Sequence, residues 1–321
     1  MKTYRCQEPP FCIQIELTEG CNLRCSFCGI QGIRTKLGGY HYMTLEVARL
    51  LAEQIANAHW GSRLELAMHG EPTLNPQMID IVAALRQRLP RNQLMMTSNG
   101  SGLCRDTEAR IQDLFNAGLN ILALDNYKAP AIVSRLLPAI KRSFGHHYYP
   151  QSGLQYSPHR RWPRATQIIL IVQDISDATA GNHDSINNHC GAGGPLNNSA
   201  AGKRCAKPFR ELSVRWDGSV AGCCNDWRGL YKIGNICHQP LDQLWQLPAM
   251  GALRVMLYHG QRVFKPCLGC DALSYRVGLL PDPTGQCKIQ KLTKEDLETI
   301  HKAIEGAPYT TPVLNVWEKE K

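Results

Sequence analysis

The sequence predicts an α/β protein whose core is a parallel β-sheet. Short apolar runs recur between residues 11 and 174, and amphipathic helical patterns separate them. Repeated strand–helix units favour a parallel sheet covered by helices, because each helix returns the chain to the same end of the sheet. From residue 205 onward the pattern changes to a short hairpin, which indicates a second, smaller unit.

The predicted strands of the first unit are short and mostly apolar. The first of them covers residues 11–17 and leads directly into a cluster of cysteines. The later strands are predicted at residues 64–68, 93–97, 120–125 and 168–172. Whether such a sheet closes into a barrel does not follow from the strand pattern.

Four helices are predicted between these strands. Thr44 is a suitable N-cap for the first, and Pro76 occupies a typical first helical position for the second. The third begins near Asp106 and ends near Gly118, and the fourth covers residues 131–143.

The composition is that of a protein with a substantial core. Of the 321 residues 43% are hydrophobic, no apolar run reaches the length of a membrane span, and the N-terminus lacks the apolar stretch of a secretory signal. In such a chain, 14 clustered cysteines favour metal ligands in a reducing compartment, so we expect a cytoplasmic protein without a membrane partner. The net charge of +9 favours an anionic partner or simply a solvated basic surface, and the densest basic cluster, residues 159–164, is weak support for nucleic acid.

The most informative segment contains Cys21, Cys25 and Cys28, spaced as C-x3-C-x2-C. Three thiolates this close converge only if the backbone curls around one point, and they suit zinc or an iron–sulfur cluster. A structural zinc site normally uses four ligands, whereas three thiolates on a cubane cluster leave one iron open for a cofactor or substrate. A zinc knuckle or three unrelated buried thiols are the alternatives.

With Phe27 before the last cysteine, this loop resembles the signature loop of the radical S-adenosylmethionine superfamily. The resemblance implies a 4Fe–4S cluster on the three cysteines and S-adenosylmethionine on the open iron. It implies reductive cleavage of that cofactor to a 5′-deoxyadenosyl radical, which abstracts a hydrogen atom from a substrate. It also implies a partial (β/α)6 barrel with the cluster at the C-terminal ends of its strands, and an electron donor such as flavodoxin or ferredoxin.

The resemblance further assigns S-adenosylmethionine contacts to loops that follow the later strands. The Gly-Glu motif of Gly70, Glu71 and Pro72 would hold the methionine ammonium, and the turn of Ser98 and Asn99 would face the ribose or methionine portion.

The other three contacts come from single residues. Asp125, at a strand end, would reach a ribose hydroxyl, and Arg135, on a helix, would bind the methionine carboxylate. Phe27, in the cysteine loop, would pack near the adenine.

A second set of cysteines follows residue 204. An Asp-Gly turn between two apolar runs predicts a hairpin that brings two of them together, and a C-x2-C turn supplies two more. The set is Cys205, Cys223, Cys267 and Cys270. Four thiolates fill a cluster and leave no open iron, and a four-cysteine zinc ribbon is the alternative.

This second set resembles the auxiliary-cluster extension of radical S-adenosylmethionine enzymes. The longer form, called SPASM, needs further cysteines where this chain has Arg276 and Val277, so the chain resembles the shorter form, called twitch, with one auxiliary 4Fe–4S cluster. Cys224 is an alternative to Cys223 as a ligand, and Cys287 is an alternative member of the set.

These features divide the chain into four segments. Residues 1–174 are expected to form the partial barrel, and residues 175–204 form a Gly/Asn-rich linker or lid. Residues 205–290 are expected to form the auxiliary-cluster domain, a β-hairpin plus a helix, and residues 291–321 a helix and tail.

The predicted function is hydrogen abstraction followed by electron transfer to the auxiliary cluster, which would oxidise a small metabolite or a peptide side chain. One alternative is radical modification or rearrangement of a nucleotide or nucleic-acid base. The other is a non-enzymatic zinc-binding module that recognises nucleic acid.

Overall fold

The computed structural model describes residues 8–32, 38–127, 130–152, 168–175, 187–262 and 264–272. The basic cluster at 159–164, Cys287 and the C-terminal segment 291–321 lie outside these residues. No helix in the described part of the chain has both the length and the apolar character needed to cross a membrane.

A nine-stranded sheet organises the described residues. Its strands are β1 (Cys12–Ile15), β4 (Arg63–Glu65), β5 (Leu94–Ser98), β6 (Ile121–Asn126), β7 (Tyr148–Ser152), β8 (Ile169–Asp174), β9 (Glu211–Val214), β10 (Ser219–Ala221) and β11 (Lys232–Asn235). Their order across the sheet is β11-β10-β9-β1-β4-β5-β6-β8-β7. Two short strands, β2 (Thr18–Glu19) and β3 (His41–Tyr42), form a separate antiparallel pair.

All pairings from β9 through β1 to β7 are parallel, and only the β9-β10-β11 end of the sheet is antiparallel. The predicted parallel α/β fold is therefore confirmed. Strand β7 was not predicted, because its sequence Tyr-Tyr-Pro-Gln-Ser lacks apolar alternation. Its Pro150 is accommodated because β7 lies at the sheet edge, where a missing amide donor costs little.

Seven helices accompany the sheet in the described residues: α1 (Leu45–Asn57), α2 (Met78–Arg88), α3 (Thr107–Asn116), α4 (Ile132–Phe144), α5 (Lys207–Arg210), α6 (Leu241–Trp245) and α7 (Pro248–Tyr258). Thr44 caps α1 as predicted, since its hydroxyl accepts the amide of Val47 at 3.4 Å. The predicted start of α2 at Pro76 is wrong by two residues. Asn75 holds this entry as a turn, because its side chain donates to the carbonyls of Leu17 and Met43 and accepts the amide of Gln77.

The second cysteine segment continues the first sheet instead of forming a sheet of its own. Strand β9 pairs with β1 in register from Cys12 opposite Glu211 to Ile15 opposite Val214. One hydrophobic cluster contains Ile13 and Leu122 from the first unit together with Leu212 and Leu253 from the second. The two units predicted from the sequence thus share a core, which fixes the two cysteine sets relative to each other.

Residues 187–204 pack against the rest of the protein. The side-chain amide of Asn188 donates to the carbonyl of Gly269 at 2.8 Å, and the amide of Asn197 donates to the same carbonyl at 3.0 Å. This part of the predicted linker or lid is therefore a packed element beside the second cysteine set.

Candidate functional site

The first cysteine loop follows β2 and is tightly turned. The amide of Leu23 donates to Sγ of Cys21 at 3.3 Å, and the amide of Cys28 donates to the carbonyl of Cys25 at 3.0 Å. Cys28 interacts electrostatically with Cys25 and Cys21. Burial raises the pKa of Cys21 and of Cys28 to about 12, and it also raises that of Cys25. Thiolates in this loop therefore need a positively charged centre to stabilise them.

The Gly-Glu motif pairs with the start of this loop through the backbone. Gly20 and Gly70 form a parallel bridge, in which the amide of Glu71 donates to the carbonyl of Gly20 at 3.0 Å. A Cβ atom at position 70 would lie 2.3 Å from the carbonyl oxygens of Gly20 and Thr18, so only glycine fits there. This contact holds the motif against Cys21.

Glu71 is 3% exposed, and both of its carboxylate oxygens accept hydrogen bonds from the protein. It accepts hydrogen bonds from the hydroxyl of Ser98 at 2.6 Å, the amide of Asn99 at 2.7 Å, the amide of Thr73 at 3.0 Å and the hydroxyl of Thr73 at 2.5 Å. Burial raises the pKa of Glu71 despite these bonds. Three of these bonds go to Oε1 and one to Oε2, so the side chain of Glu71 joins two loops and Oε2 keeps acceptor capacity.

The turn after β5 reaches the cysteine loop directly. The side-chain amide of Asn99 donates to Sγ of Cys21 at 3.4 Å and to the side-chain oxygen of Asn22 at 3.2 Å. Asp125, at the end of β6, interacts electrostatically with Cys25 and Cys28, and its carboxylate accepts the side-chain amide of Gln173 at 2.9 Å.

Phe27 stacks on Tyr127, with ring centroids 6.0 Å apart. Gly70, Ser98, Asn99 and Asp125 thus lie around the cysteine loop, and Pro72 is the buried first residue of the short helical turn after Glu71. Arg135 differs from them, because its side chain is exposed on α4, where Ile132, Val133 and Leu136 form the buried face. Its contact with a methionine carboxylate stays a prediction.

The members of the second cysteine set interact electrostatically with one another. Cys205 influences Cys223 and Cys267 electrostatically, and Cys270 influences Cys205 and Cys267. The turn from Cys267 to Cys270 is closed by a hydrogen bond from the amide of Cys270 to the carbonyl of Cys267 at 3.0 Å. A hydrogen bond from the side chain of Cys190 lowers the pKa of Cys270 to about 6.

Two buried cations lie beside this set. Arg262 is 6% exposed and donates to the carbonyl of Cys270 at 3.1 Å. Burial raises the pKa of Cys205, and the charge of Arg262 opposes this rise. Lys207 is also 6% exposed, and its ammonium lies 3.0 Å from Oε2 of Glu211. Buried positive charge of this kind stabilises an anionic centre.

The neighbouring Cys224 contacts a buried ion pair. Its Sγ lies 3.2 Å from Nζ of Lys207 and 3.4 Å from Oε2 of Glu211. Cys223 interacts with Cys224 and, more weakly, with Cys205, and its Sγ accepts the amide of Asn225 at 3.4 Å. The choice of Cys223 over Cys224 as the ligand stays a prediction.

A small apolar layer packs against the first cysteine set. Ile30, Ala192 and Trp227 form a buried cluster, and Cys21 and Cys28 pack against it. Trp227 belongs to the turn that begins at Cys223, where the amide of Asp226 donates to the carbonyl of Cys223. The layer therefore contacts the first set directly and is covalently continuous with the second.

Sequence profiles now identify the family. The profile of the radical SAM superfamily matches residues 15–126, and that of the SPASM iron–sulfur cluster-binding domain matches residues 205–271. The chain belongs to the radical S-adenosylmethionine superfamily. It is therefore an enzyme, and its cofactors are 4Fe–4S clusters and S-adenosylmethionine.

Individual relatives agree with this membership. The S-adenosyl-L-methionine-dependent 2-deoxy-scyllo-inosamine dehydrogenase of Niallia circulans is 24% identical over 267 residues, which is 82% of this chain and 93% of that protein. A GTP 3′,8-cyclase of Mycolicibacterium smegmatis is 36% identical over 109 residues, covering 34% of this chain and 28% of the cyclase.

Solved structures share the fold. The crystal structure of BtrN in complex with AdoMet and 2-DOIA superposes with a TM-score of 0.62 at 18% identity, covering 83% of this chain and 95% of that one. An open conformation of BtrN gives a TM-score of 0.56 at 19% identity, covering 84% and 100% of the two chains. At these identities the likeness shows the fold alone.

The donor atoms of this radical S-adenosylmethionine enzyme fit its cofactors. Among the described residues, no three His, Cys, Asp or Glu side chains gather closely enough to share a single metal ion. A cluster has a different requirement, because each thiolate binds a separate iron and the sulfurs stand farther apart. Soft thiols in two sets, one of them beside buried cations, meet that requirement.

Four residues of the site were not predicted from the sequence: Glu16, His69, Arg215 and Trp227. They form the contact between the Gly-Glu motif and the turn after Cys223. Local signals exist for two of them, since His69 immediately precedes Gly70 and Trp227 follows Cys223 by four residues. Their importance depends on contacts between distant segments, which the spacing of residues within one segment does not reveal.

Proposed function

We propose that this radical S-adenosylmethionine enzyme oxidises a secondary alcohol of a small polyhydroxylated molecule, such as a sugar or cyclitol, to a ketone. The observation that carries the proposal is that Trp227, from the turn that begins at Cys223, packs with Ile30 and Ala192 in a cluster that contacts Cys21 and Cys28. In this proposal the substrate is held at the first set, and the second set holds the centre that accepts an electron from the substrate radical.

The ligand assignments follow the two sets. We assign Cys21, Cys25 and Cys28 to the S-adenosylmethionine-binding cluster, and the auxiliary cluster to the set Cys205, Cys223, Cys267 and Cys270. When bound, the first cluster and S-adenosylmethionine supply a 5′-deoxyadenosyl radical that removes a hydrogen atom, and the auxiliary cluster accepts an electron.

The residues around the first cysteine loop bind and orient the cofactor and substrate. The backbone at Gly70 and Glu71 offers carbonyl acceptors beside Cys21, while the carboxylate of Glu71 keeps the Ser98–Asn99 turn against the loop. Asp125 faces Cys25 and Cys28 and supplies an acceptor for a hydroxyl group of the ribose. Phe27 and Tyr127 offer aromatic surface for a planar base.

Oxidation of the alcohol to the ketone removes one hydrogen atom from the carbinol carbon, one proton from the hydroxyl group and one electron. The hydrogen atom leaves with 5′-deoxyadenosine, the proton leaves to solvent or a protein base, and the electron enters the auxiliary centre. The buried cations Lys207 and Arg262 beside that centre favour the additional negative charge.

The substrate class is supported by the relative that aligns along most of this chain. That protein is named as a dehydrogenase of 2-deoxy-scyllo-inosamine, a hydroxylated ring. The nucleotide alternative has narrower support, since the GTP 3′,8-cyclase aligns over only 34% of this chain. A flavodoxin or ferredoxin as electron donor and a cytoplasmic location stay predictions.

Anaerobic incubation of the reconstituted enzyme with a panel of cyclitols and sugars, each deuterated at its carbinol carbons, tests the proposal. We expect deuterium in 5′-deoxyadenosine together with a ketone product trapped by a hydrazine. The control is the variant with Cys21, Cys25 and Cys28 all changed to Ala, which should yield neither product. Deuterium transfer that gives a product of unchanged oxidation state would overturn the oxidation, and transfer from GTP alone would favour the nucleotide alternative.

A further inference from the structure

The turn at residues 223–227 begins at Cys223, an assigned auxiliary ligand, and packs against His69. Nε2 of His69 lies 2.6 Å from the carbonyl oxygen of Cys224, and the indole of Trp227 lies against the His69 ring, with the ring centroids 4.7 Å apart. His69 is fully buried, so water does not reach its ring. The turn therefore sets the position of this side chain.

The backbone of His69 contacts the start of the first cysteine loop. Its carbonyl accepts the amide of Gly20 at 3.2 Å, and the amide of Glu71 donates to the carbonyl of Gly20 at 3.0 Å. Gly20 directly precedes Cys21, and the close approach of Gly70 to Gly20 leaves no room for a side chain at position 70. Because ring and backbone belong to one residue, a movement of the His69 ring is passed to the backbone pairing that holds Cys21.

The second ring nitrogen of His69 is fixed by buried charged groups. Nδ1 lies 2.7 Å from Oε1 of Glu16 and 3.2 Å from a guanidinium nitrogen of Arg215, and both residues are fully buried. A carbonyl oxygen only accepts hydrogen bonds, so the proton of the contact with Cys224 is on Nε2. Losing this bond would leave a buried N–H group without a partner, which is unfavourable. The His69 ring therefore has one preferred position while the turn is in place.

The turn itself is closed by hydrogen bonds that start at Cys223. The amide of Asp226 donates to the carbonyl of Cys223 at 3.2 Å, and the amides of Leu230 and Tyr231 donate to the Asp226 carboxylate at 2.9 and 2.8 Å. A metal centre orders the segments that supply its ligands, because ligand binding and local folding are linked. We therefore expect a bound auxiliary cluster to favour the conformation of the turn in which the carbonyl of Cys224 meets His69.

We propose that His69 is a positioning residue that couples the two cysteine sets, so that a bound auxiliary cluster tightens S-adenosylmethionine binding at the first set. The proposal rests on the auxiliary ligands assigned in the proposed function, and it is independent of the substrate. The coupling passes from Cys223 through the carbonyl of Cys224 and the His69 ring to the pairing of Gly70 with Gly20. His69 acts through this backbone and does not itself contact the cofactor.

The test compares the S-adenosylmethionine affinity of the enzyme with and without the auxiliary cluster. Changing Cys267 and Cys270 to Ala removes that cluster, and iron analysis should show the loss of about four irons. The dissociation constant comes from the change in the EPR spectrum of the first cluster during anaerobic titration without substrate. We expect the affinity to fall about fivefold or more in the variant, as is typical of coupled sites.

Two substitutions of His69 separate this coupling from general destabilisation. In His69→Asn the short amide reaches Glu16 but not the carbonyl of Cys224, whereas in His69→Gln the amide nitrogen takes the place of Nε2 and donates to that carbonyl. We expect the effect of removing the auxiliary cluster to shrink below about twofold in His69→Asn and to persist in His69→Gln. His41→Asn is the matched control and should leave the effect unchanged, because His41 pairs with Glu19 through a side chain that is 49% exposed.

Three results would overturn the proposal. The first is an equal affinity with and without the auxiliary cluster, and this comparison needs no change at His69. The second is an equal loss of coupling in His69→Gln and His69→Asn, which would show that the bond to Cys224 does not link the two sites. The third is retention of about eight irons after the change at Cys267 and Cys270, which would overturn the ligand assignment itself. Because the titration involves no turnover, a failure of the proposed alcohol oxidation does not affect its result.

Discussion

The Nε2 atom of His69 lies 2.6 Å from the carbonyl oxygen of Cys224, a contact between residues 155 positions apart in the sequence. The Nδ1 atom of the same ring lies 2.7 Å from Oε1 of Glu16, which also lies 3.6 Å from Arg215. All of these side chains are fully buried. Because His69 precedes the Gly-Glu motif and Cys224 follows Cys223, this network joins the S-adenosylmethionine site to the auxiliary site.

Changing His69 to Gln is expected to lower the free energy of unfolding by about 3 kcal/mol, because it removes one member of a buried charged network and leaves Glu16 poorly compensated. Burial and then Arg215 lower the pKa of His69, while the hydrogen bond with Glu16 opposes them. Anaerobic urea unfolding followed by tryptophan fluorescence measures the change.

The control for this prediction is His41→Gln. His41 pairs with Glu19 at 2.8 Å, but its side chain is 49% exposed, so the expected loss is below about 1 kcal/mol. An equal loss of unfolding free energy in the two variants would show that the buried network stabilises the protein no more than the exposed pair does.

Changing Glu71 to Gln is expected to weaken S-adenosylmethionine binding at least about tenfold. The amide nitrogen of Gln would face either the amide of Asn99 or the donors of Ser98 and Thr73, and lost hydrogen bonds to a charged group cost about 1.5–3 kcal/mol each. The change in the EPR spectrum of the first cluster on cofactor titration reports the affinity. Glu46→Gln, on the first turn of α1, serves as the control and should bind normally. Normal S-adenosylmethionine binding by Glu71→Gln would show that cofactor binding does not depend on the hydrogen bonds by which Glu71 joins the two loops.

Changing Gly29 to Ala is expected to disturb the first cluster. A Cβ atom at this position would lie 2.4 Å from the indole ring of Trp227, and both groups are buried. Gly61→Ala is the matched control, because a Cβ atom there would have no neighbour within 4 Å. We expect reduced iron content and a lower melting temperature for Gly29→Ala, and wild-type values for Gly61→Ala.

The double variant Gly29→Ala, Trp227→Ala tests the same contact from its other side. Trp227→Ala alone should lower the free energy of unfolding by about 3–5 kcal/mol, because it leaves a cavity in the apolar layer that packs against Cys21 and Cys28. In the double variant the added methyl group no longer meets the ring, so the two losses should be less than additive. Strict additivity would indicate that Gly29 and Trp227 do not interact.

Removing the thiols of one set at a time should separate S-adenosylmethionine cleavage from oxidation of the alcohol to the ketone. With Cys21, Cys25 and Cys28 changed to Ala, we expect about four irons to remain and S-adenosylmethionine cleavage to be lost. With Cys267 and Cys270 changed to Ala, we expect about four irons and continued cleavage, but no ketone product. Iron analysis and chromatography of 5′-deoxyadenosine measure both outcomes, and cleavage by the first variant would contradict the assignment of the catalytic cluster.

Much of the fold was predictable from the sequence because its signals are local. The apolar strands, the cap at Thr44 and the hairpin turn at Asp217 and Gly218 depend on neighbours within a few residues. Strand β7 was missed because an edge strand with Pro150 carries no clear period. The pairing of β9 with β1 was missed because nothing in either strand specifies a partner about 200 residues away.

The sequence by itself determined the family and cofactor type of this protein, because the spacing of cysteines within a single turn, as in Cys21, Cys25 and Cys28 or in Cys267 and Cys270, is a local signal of cluster binding. Only the tertiary structure decided which groups surround those thiolates. Asn188 beside Gly269, His69 beside Cys224 and Trp227 beside Gly29 are contacts made by packing one shared core. Such contacts depend on the folded path of the whole chain, and they follow from no local pattern.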